Sequence, residues 1–188
     1  MKVYNTRVDG VKVLCPKVFG DNRGLFMELW NKCVLEDAGI YDTFVQDNIS
    51  TSLRGVLRGV HTQLLYPQAK IVSCLKGIIY DVAVDCRKDS PTFGKWYGEL
   101  LTEENRRQMY LPAGVAHGFL TLENAMVYMK VTTHYTPGDE IGFKWDDPMV
   151  DISWPVPKGM NLVFAEKDLK WAAFEDMAER VAESWNRK

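Results

Sequence analysis

The chain has 188 residues, 46% hydrophobic and 26% charged, with a formal net charge of −2. That length holds one sizeable core, so a single domain over 1–188 is expected. The balanced charge offers no bulk attraction to nucleic acid or to a membrane surface, although a local basic pocket can still hold a phosphorylated small molecule.

Cys15, Cys33, Cys74 and Cys86 lie far apart and form no CxxC pair. Zinc spacing is therefore missing, and a disulfide scaffold is unnecessary at this size; the four read as reduced thiols. The opening MKVYNTRVDG lacks the apolar run of a signal peptide, and nothing reaches the ~18 apolar residues of a membrane span. A soluble, cytoplasmic protein is expected.

Along the chain, MELWNKCVLEDAGI (27–40) has the spacing of a short helix ending at Gly39. IVSCLKGIIYDVAVD (71–85) is two β-branched runs around Lys76-Gly77 and reads as a hairpin. Alternation continues from Gly94 to Gly138, with turn signals at Glu103-Glu104-Asn105, Pro112-Ala113-Gly114 and Glu123-Asn124. Many short strands without intervening helical patterns predict a mostly β sandwich or barrel rather than a parallel α/β sheet. The clearest helix is the tail, about 171–188, with apolar residues three to four apart and a basic end. No repeat, low-complexity tract or linker argues for a second domain.

RGVHTQLLYPQAK (58–70) holds one of only three histidines, His61, amid Arg58, Gln63, Gln68 and Lys70. A strand histidine is more often packed than catalytic. So many polar groups in a half-buried hairpin are costly unless satisfied, often by a ligand. A metal is the rival reading. A cupin-type metal motif sets His-x-His five residues after a glycine, with a glutamate following; here Gly55 precedes His61 by that interval, but Gln63 stands at the second histidine position and LLYPQAK has no glutamate. A transition metal needs about three His or carboxylate ligands, so none is expected.

DNRGLFMEL, QDNIS, GVLRGVHTQ, PQAKIVSCLKG, DVAVDCRKDSPTFGKW, ENRRQMYLPAGVAHGF, WDDPMVDISWP and AEKD, in this order over about residues 1–170, resemble the dTDP-4-dehydrorhamnose 3,5-epimerase family. The resemblance implies a cupin-like, jelly-roll β-barrel with short flanking helices and a C-terminal helix, forming a homodimer. It implies action on a nucleotide-linked 4-keto-6-deoxy sugar without metal or cofactor. The ketone acidifies the neighbouring carbons, so a base poised near neutral pH can remove a proton and leave an enolate.

By the same resemblance, His61 is the base, Asp168 the carboxylate that pairs with it, and Lys70 the cation beside the developing oxyanion. Arg23, Glu28, Gln46, Asp47, Asn48, Arg58, His117, Glu140 and Lys167 fall at sugar-nucleotide positions. One position departs from the family. Where its members carry a tyrosine that reprotonates the sugar, counting back from Tyr135 and Pro137 in VYMKVTTHYTP reaches Met129, with Tyr128 one residue away. Either a bulge turns Tyr128 inward, or Met129 faces the pocket and offers no proton. The ungapped downstream match favours Met129, which implies inversion at C3 with C5 impaired. Two other classes fit less well: a cupin-fold 3,4-ketoisomerase, and a sugar-nucleotide-binding module without activity.

Overall fold

The computed structural model describes residues 1–185. The alternating segments form two facing antiparallel sheets. In chain order the strands are β1 (Lys2–Asn5), β2 (Lys12–Cys15), β3 (Val18–Asp21), β4 (Gly24–Met27), β5 (Gln46–Ser52), β6 (Leu57–Gln63) and β7 (Lys70–Lys76). They continue with β8 (Ile78–Asp85), β9 (Trp96–Thr102), β10 (Gln108–Leu111), β11 (Val115–Thr121), β12 (Ala125–Val131) and β13 (Glu140–Gly142). One sheet has the order β1-β2-β10-β7-β12-β5 and the other β13-β6-β11-β8-β9, while β3 and β4 form a separate two-stranded sheet. The mostly β, jelly-roll expectation holds.

Pairing differs from the hairpin reading of 71–85. Strands β7 and β8 follow each other through Gly77 yet lie in opposite sheets. Gly77 has φ +76°, and a Cβ there would sit 2.2 Å from the Asn124 carbonyl oxygen. The residue serves a tight corner from one sheet to the other, which only glycine fits. Strands β6 and β7 are likewise in different sheets, so the polar groups of 58–70 face one another across the sandwich instead of sharing one hairpin face.

Between the sheets, Val72, Cys74, Ile79, Ala83, Met109, Val115, Phe119 and Val127 form the inner core. The outer face of the five-stranded sheet is also covered: Val60, Val82, Val84 and Ala116 pack on Phe174, Met177, Ala178 and Val181 of the C-terminal helix α2 (Phe174–Trp185). The other sheet buries Leu14, Ile71 and Tyr110 against Leu35 and Ile40. Burial on both faces explains runs such as VAHGFLT, in which every residue is buried. Asp147 accepts from the Phe174 N–H at 2.9 Å and from the Met149 N–H at 3.0 Å. It thereby caps α2 and ties down the WDDP loop. The expected tail helix is thus observed over Phe174–Trp185, and its last three positions lie outside the described residues.

The early helix is shorter than its pattern. Met27 ends β4, and α1 runs Lys32–Asp37, started by Asn31, whose side chain accepts from the Val34 N–H at 3.4 Å. It stops before Gly39, which has φ +76°.

Candidate active site

Arg58 and His61 are three residues apart, a spacing that puts side chains on opposite faces of a regular strand. Here the register between β11 and β6 shifts: His117 pairs with His61 but Phe119 pairs with Arg58, so β6 holds one extra residue. This bulge turns both side chains to the inner face. Gly59 permits it, because with φ +93° a Cβ there would lie 2.4 Å from the His117 carbonyl oxygen.

The inner face at this end of the sandwich is a hollow of about 350 Å³. The five-stranded sheet lines it with Arg58, His61, His117, Phe119 and Glu140. The six-stranded sheet faces them with Gln46, Asn48 and Ser50 from β5, Lys70 from β7, and Met129 and Val131 from β12. Gln68, Tyr135 and Lys167 complete the rim. Registers agree with this division: Lys70 sits beside Val131, and Val72 beside Met129.

Several polar groups hold the wall itself. Gln63, where the metal motif has its second histidine, donates to the Tyr66 carbonyl at 2.8 Å and accepts from the Thr136 N–H at 3.1 Å. Gln68 donates to the Thr133 carbonyl at 2.5 Å. Asp139 accepts from the N–H groups of Leu65 and Tyr66 at 2.8 and 3.0 Å. These bonds pin the loop after β6 to the loop before β13 and set the mouth. Among the described residues, no group of three or more His, Cys, Asp or Glu side chains is arranged to hold a metal ion.

Charge in the hollow is arranged around His61. Burial pushes its imidazole well below the usual histidine range, and the positive charges of Lys70, His117, Lys167 and Arg58 push the same way. The ring is therefore neutral at neutral pH, with a lone pair free to accept a proton. Its Nε2 lies 3.7 Å from Glu140 Oε1, and its Nδ1 is buried without a hydrogen-bond partner among the described residues. Lys70 is also buried, which lowers its ammonium to about 8 against the opposing pull of Glu140 and Asp81. Beneath the floor, His117 Nε2 stands 2.7 Å from Asp81 Oδ1, both groups buried, and Asp81 Oδ2 has no partner among the described residues. Burial raises the Asp81 carboxyl above its ordinary value. A neutral base on one sheet and a buried cation on the other suit removal of a proton next to a carbonyl.

The model of the dTDP-4-dehydrorhamnose 3,5-epimerase family matches residues 5–176. The chain belongs to that family. It is 46% identical over 171 residues to the dTDP-4-dehydrorhamnose 3,5-epimerase of Methanothermobacter thermautotrophicus, covering 90% of this chain and 92% of that protein. Among solved structures, it resembles the dTDP-6-deoxy-D-glucose-3,5-epimerase of Legionella pneumophila in complex with dTDP-4-keto-L-rhamnose, with TM-score 0.91, 41% identity and 96% of each chain covered. ChmJ, a 3'-monoepimerase from Streptomyces bikiniensis in complex with dTDP-quinovose, aligns with TM-score 0.85 and 28% identity over 97% of this chain and 94% of that one.

Of the residues singled out by resemblance to the epimerase family, Gln46, Asn48, Arg58, His61, Lys70, His117, Glu140 and Lys167 line one hollow. Four others do not reach it. Arg23 is at the tip of the β3–β4 hairpin, 85% exposed and paired with Asp21 at 2.6 Å. Glu28, just after β4, accepts from Asn31 at 3.0 Å. Asp47 alternates to the outer face of β5, where it pairs with Lys130 at 2.7 Å, and Lys130 in turn covers the Trp30 ring. Asp168 is buried, but its carboxylate accepts from Trp171 Nε1 at 3.2 Å and from the Gly59 N–H, so it grips the bulge instead of bonding the His61 ring. Its burial raises its own carboxyl above the ordinary value.

The Met129 question also has a geometric answer. Met129 lines the hollow. A register shift does occur in β12, but between Met126 and Val127, where β7 carries the extra residue Leu75, and the alternation from Val127 through Met129 to Val131 is unbroken. Tyr128 is on the other face, its phenol pushed up to about 12 by burial and by Asp47. Ser50, Phe119, Val131 and Tyr135 line the hollow without having been singled out. Val131, two residues past Met129 on the same strand face, was recoverable from alternation. The others depend on which strands face each other.

Proposed function

We infer that this chain epimerises a nucleotide-linked 4-keto-6-deoxy sugar, carried by thymidine diphosphate as in the relatives above. The observation that carries the reading is the neutral imidazole of His61 facing a buried ammonium, Lys70, across one hollow. His61 removes the proton from a carbon beside the C4 ketone. Lys70 stabilises the enolate oxygen, an effect on the order of 3 kcal/mol for one preorganised donor. Arg58 recognises the diphosphate with the fork of its guanidinium, which Ser52 Oγ steadies by accepting from Nε at 3.0 Å. Asp168 acts at one remove, by holding the Gly59 N–H and with it the direction of the His61 side chain.

Met129 in the hollow supports inversion at one centre, C3, with C5 impaired, because a thioether donates no proton. The protein acts as a soluble homodimer in the cytoplasm. Exposed Phe19, Leu25 and Phe26 on the β3–β4 hairpin support pairing, and Arg23 and Glu28 serve a sugar nucleotide when that hairpin meets a second copy. Proton NMR in deuterium oxide with several nucleotide 4-keto-6-deoxyglucoses tests this reading. Deuterium at C3 with inversion there is expected, and rapid exchange at both C3 and C5 with an L-configured product defeats the single-centre assignment.

A further inference from the structure

Inversion of a carbon needs a proton removed from one face and another delivered to the opposite face. In this hollow the faces belong to different sheets, and the sheet opposite His61 offers Gln46, Asn48, Ser50, Met129, Val131 and Lys70. Lys70 is the one ionisable side chain that this sheet gives to the hollow among the described residues. It is buried, forms no ion pair among the described residues, and stands on β7 beside Val131 of β12, the strand that carries Met129. We propose that Lys70 is the acid for the face opposite His61, in addition to steadying the enolate oxygen, and that this single donor is what restricts inversion to one centre. The inference rests on the epimerase reading above.

The step balances without a co-reactant. His61 takes the proton as the C–H bond breaks, and the electron pair moves into the C3–C4 enolate. A Lys70 N–H then breaks as a new C–H bond forms on the opposite face and the ketone is restored. The enzyme is left with an imidazolium and a neutral amine, which exchange protons with solvent before the next turnover. An ammonium brought to about 8 by burial is a competent acid near neutral pH. The charged groups that face it are Asp81 on β8, Arg58 and His61 on β6, His117 on β11, Glu140 on β13, and Lys167.

Lys70→Arg separates the two duties, because a guanidinium keeps the positive charge but does not give up a proton. With the nucleotide 4-keto-6-deoxy sugar in deuterium oxide, K70R is expected to wash deuterium into recovered substrate within about tenfold of the unmodified enzyme while inversion falls at least ~10². Met129→Tyr added to K70R, placing a phenol on the same wall, is expected to recover inversion. Inversion by K70R in step with exchange overturns the proposal. So does loss of exchange along with inversion in a K70R protein that still binds thymidine diphosphate, or loss of inversion in Tyr135→Phe alone. Should K70R not fold, the unmodified enzyme decides: its ratio of inversion to exchange falls as pH rises past about 8, and a flat ratio overturns the assignment. If the unmodified enzyme neither exchanges nor inverts any such sugar, the epimerase reading fails instead.

Discussion

Glu140 Oε1 lies 3.7 Å from His61 Nε2, and the other oxygen of the same carboxylate accepts from Lys167 Nζ at 2.5 Å. The carboxylate nearest the base therefore comes from β13, and Lys167 anchors it. An anion at that distance favours the imidazolium that forms during proton removal. Glu140→Gln is expected to shift the acid limb of kcat/KM to still lower pH and to reduce kcat about tenfold. An unchanged acid limb contradicts this role.

The pH profile of the unmodified enzyme follows from two depressed groups. On the proposed reading His61 is the base in its neutral form, and its folded value is well below the usual histidine range, so activity is expected to persist below pH ~6.5 and to fall only as pH drops through that lowered value. On the same reading Lys70 acts as a cation, and its lowered value of about 8 is expected to set the alkaline limb. Initial rates of inversion across pH check both limbs. An acid limb centred at the ordinary histidine value is the contrary result.

Lys70 also carries a stability cost that can be measured. Its folded value, about 8, is below its unfolded value, so the folded state resists the charge. The penalty is fully present below pH 8 and is relieved as pH rises toward the unfolded value near 10.4, a difference of about 3 kcal/mol by linkage. Lys70→Met is expected to abolish turnover and to stabilise the fold by roughly 1–3 kcal/mol at neutral pH in urea unfolding. A destabilised K70M protein contradicts the assignment of burial as the cause.

The DCRKDSPTFGKW stretch is a structural staple, built on Asp85. This buried carboxylate accepts from Arg87 Nε and Nη2, both at 2.8 Å, from Ser90 Oγ at 2.5 Å and from Thr92 Oγ1 at 2.6 Å. Burial alone raises its pKa, but these donors together hold the carboxyl below its ordinary value. Its contribution is present above the unfolded value near 3.9 and is lost as pH falls through the folded value. Asp85→Asn is expected to cost about 3 kcal/mol at neutral pH, with the gap from the unmodified protein closing in acid. Thermal melts at several pH values read this directly.

Strand content and the tail helix were legible because alternation and 3.6-residue spacing are local properties of the chain. Partners were not. Lys76-Gly77 spells a hairpin turn, and nothing local reveals that Gly77 packs against the Asn124 carbonyl and sends β8 to the opposite sheet. The same limit shaped the site. His61, Lys70, His117 and Glu140 were identified by resemblance and do share a hollow. Asp47 stands outside that hollow because alternation on β5 sends it outward, between inward-facing Gln46 and Asn48. Asp168 pairs with the His61 ring by resemblance, whereas in the structure it accepts from Trp171 Nε1 and from the Gly59 N–H, and Gly59 belongs to a bulge that no sequence spacing announces.

The most direct test compares the unmodified enzyme with His61→Ala in deuterium oxide, following the protons beside the ketone of a thymidine diphosphate 4-keto-6-deoxyglucose by NMR. Loss of exchange by at least ~10² with retained nucleotide binding is the predicted result. Exchange in H61A at the rate of the unmodified enzyme contradicts the account.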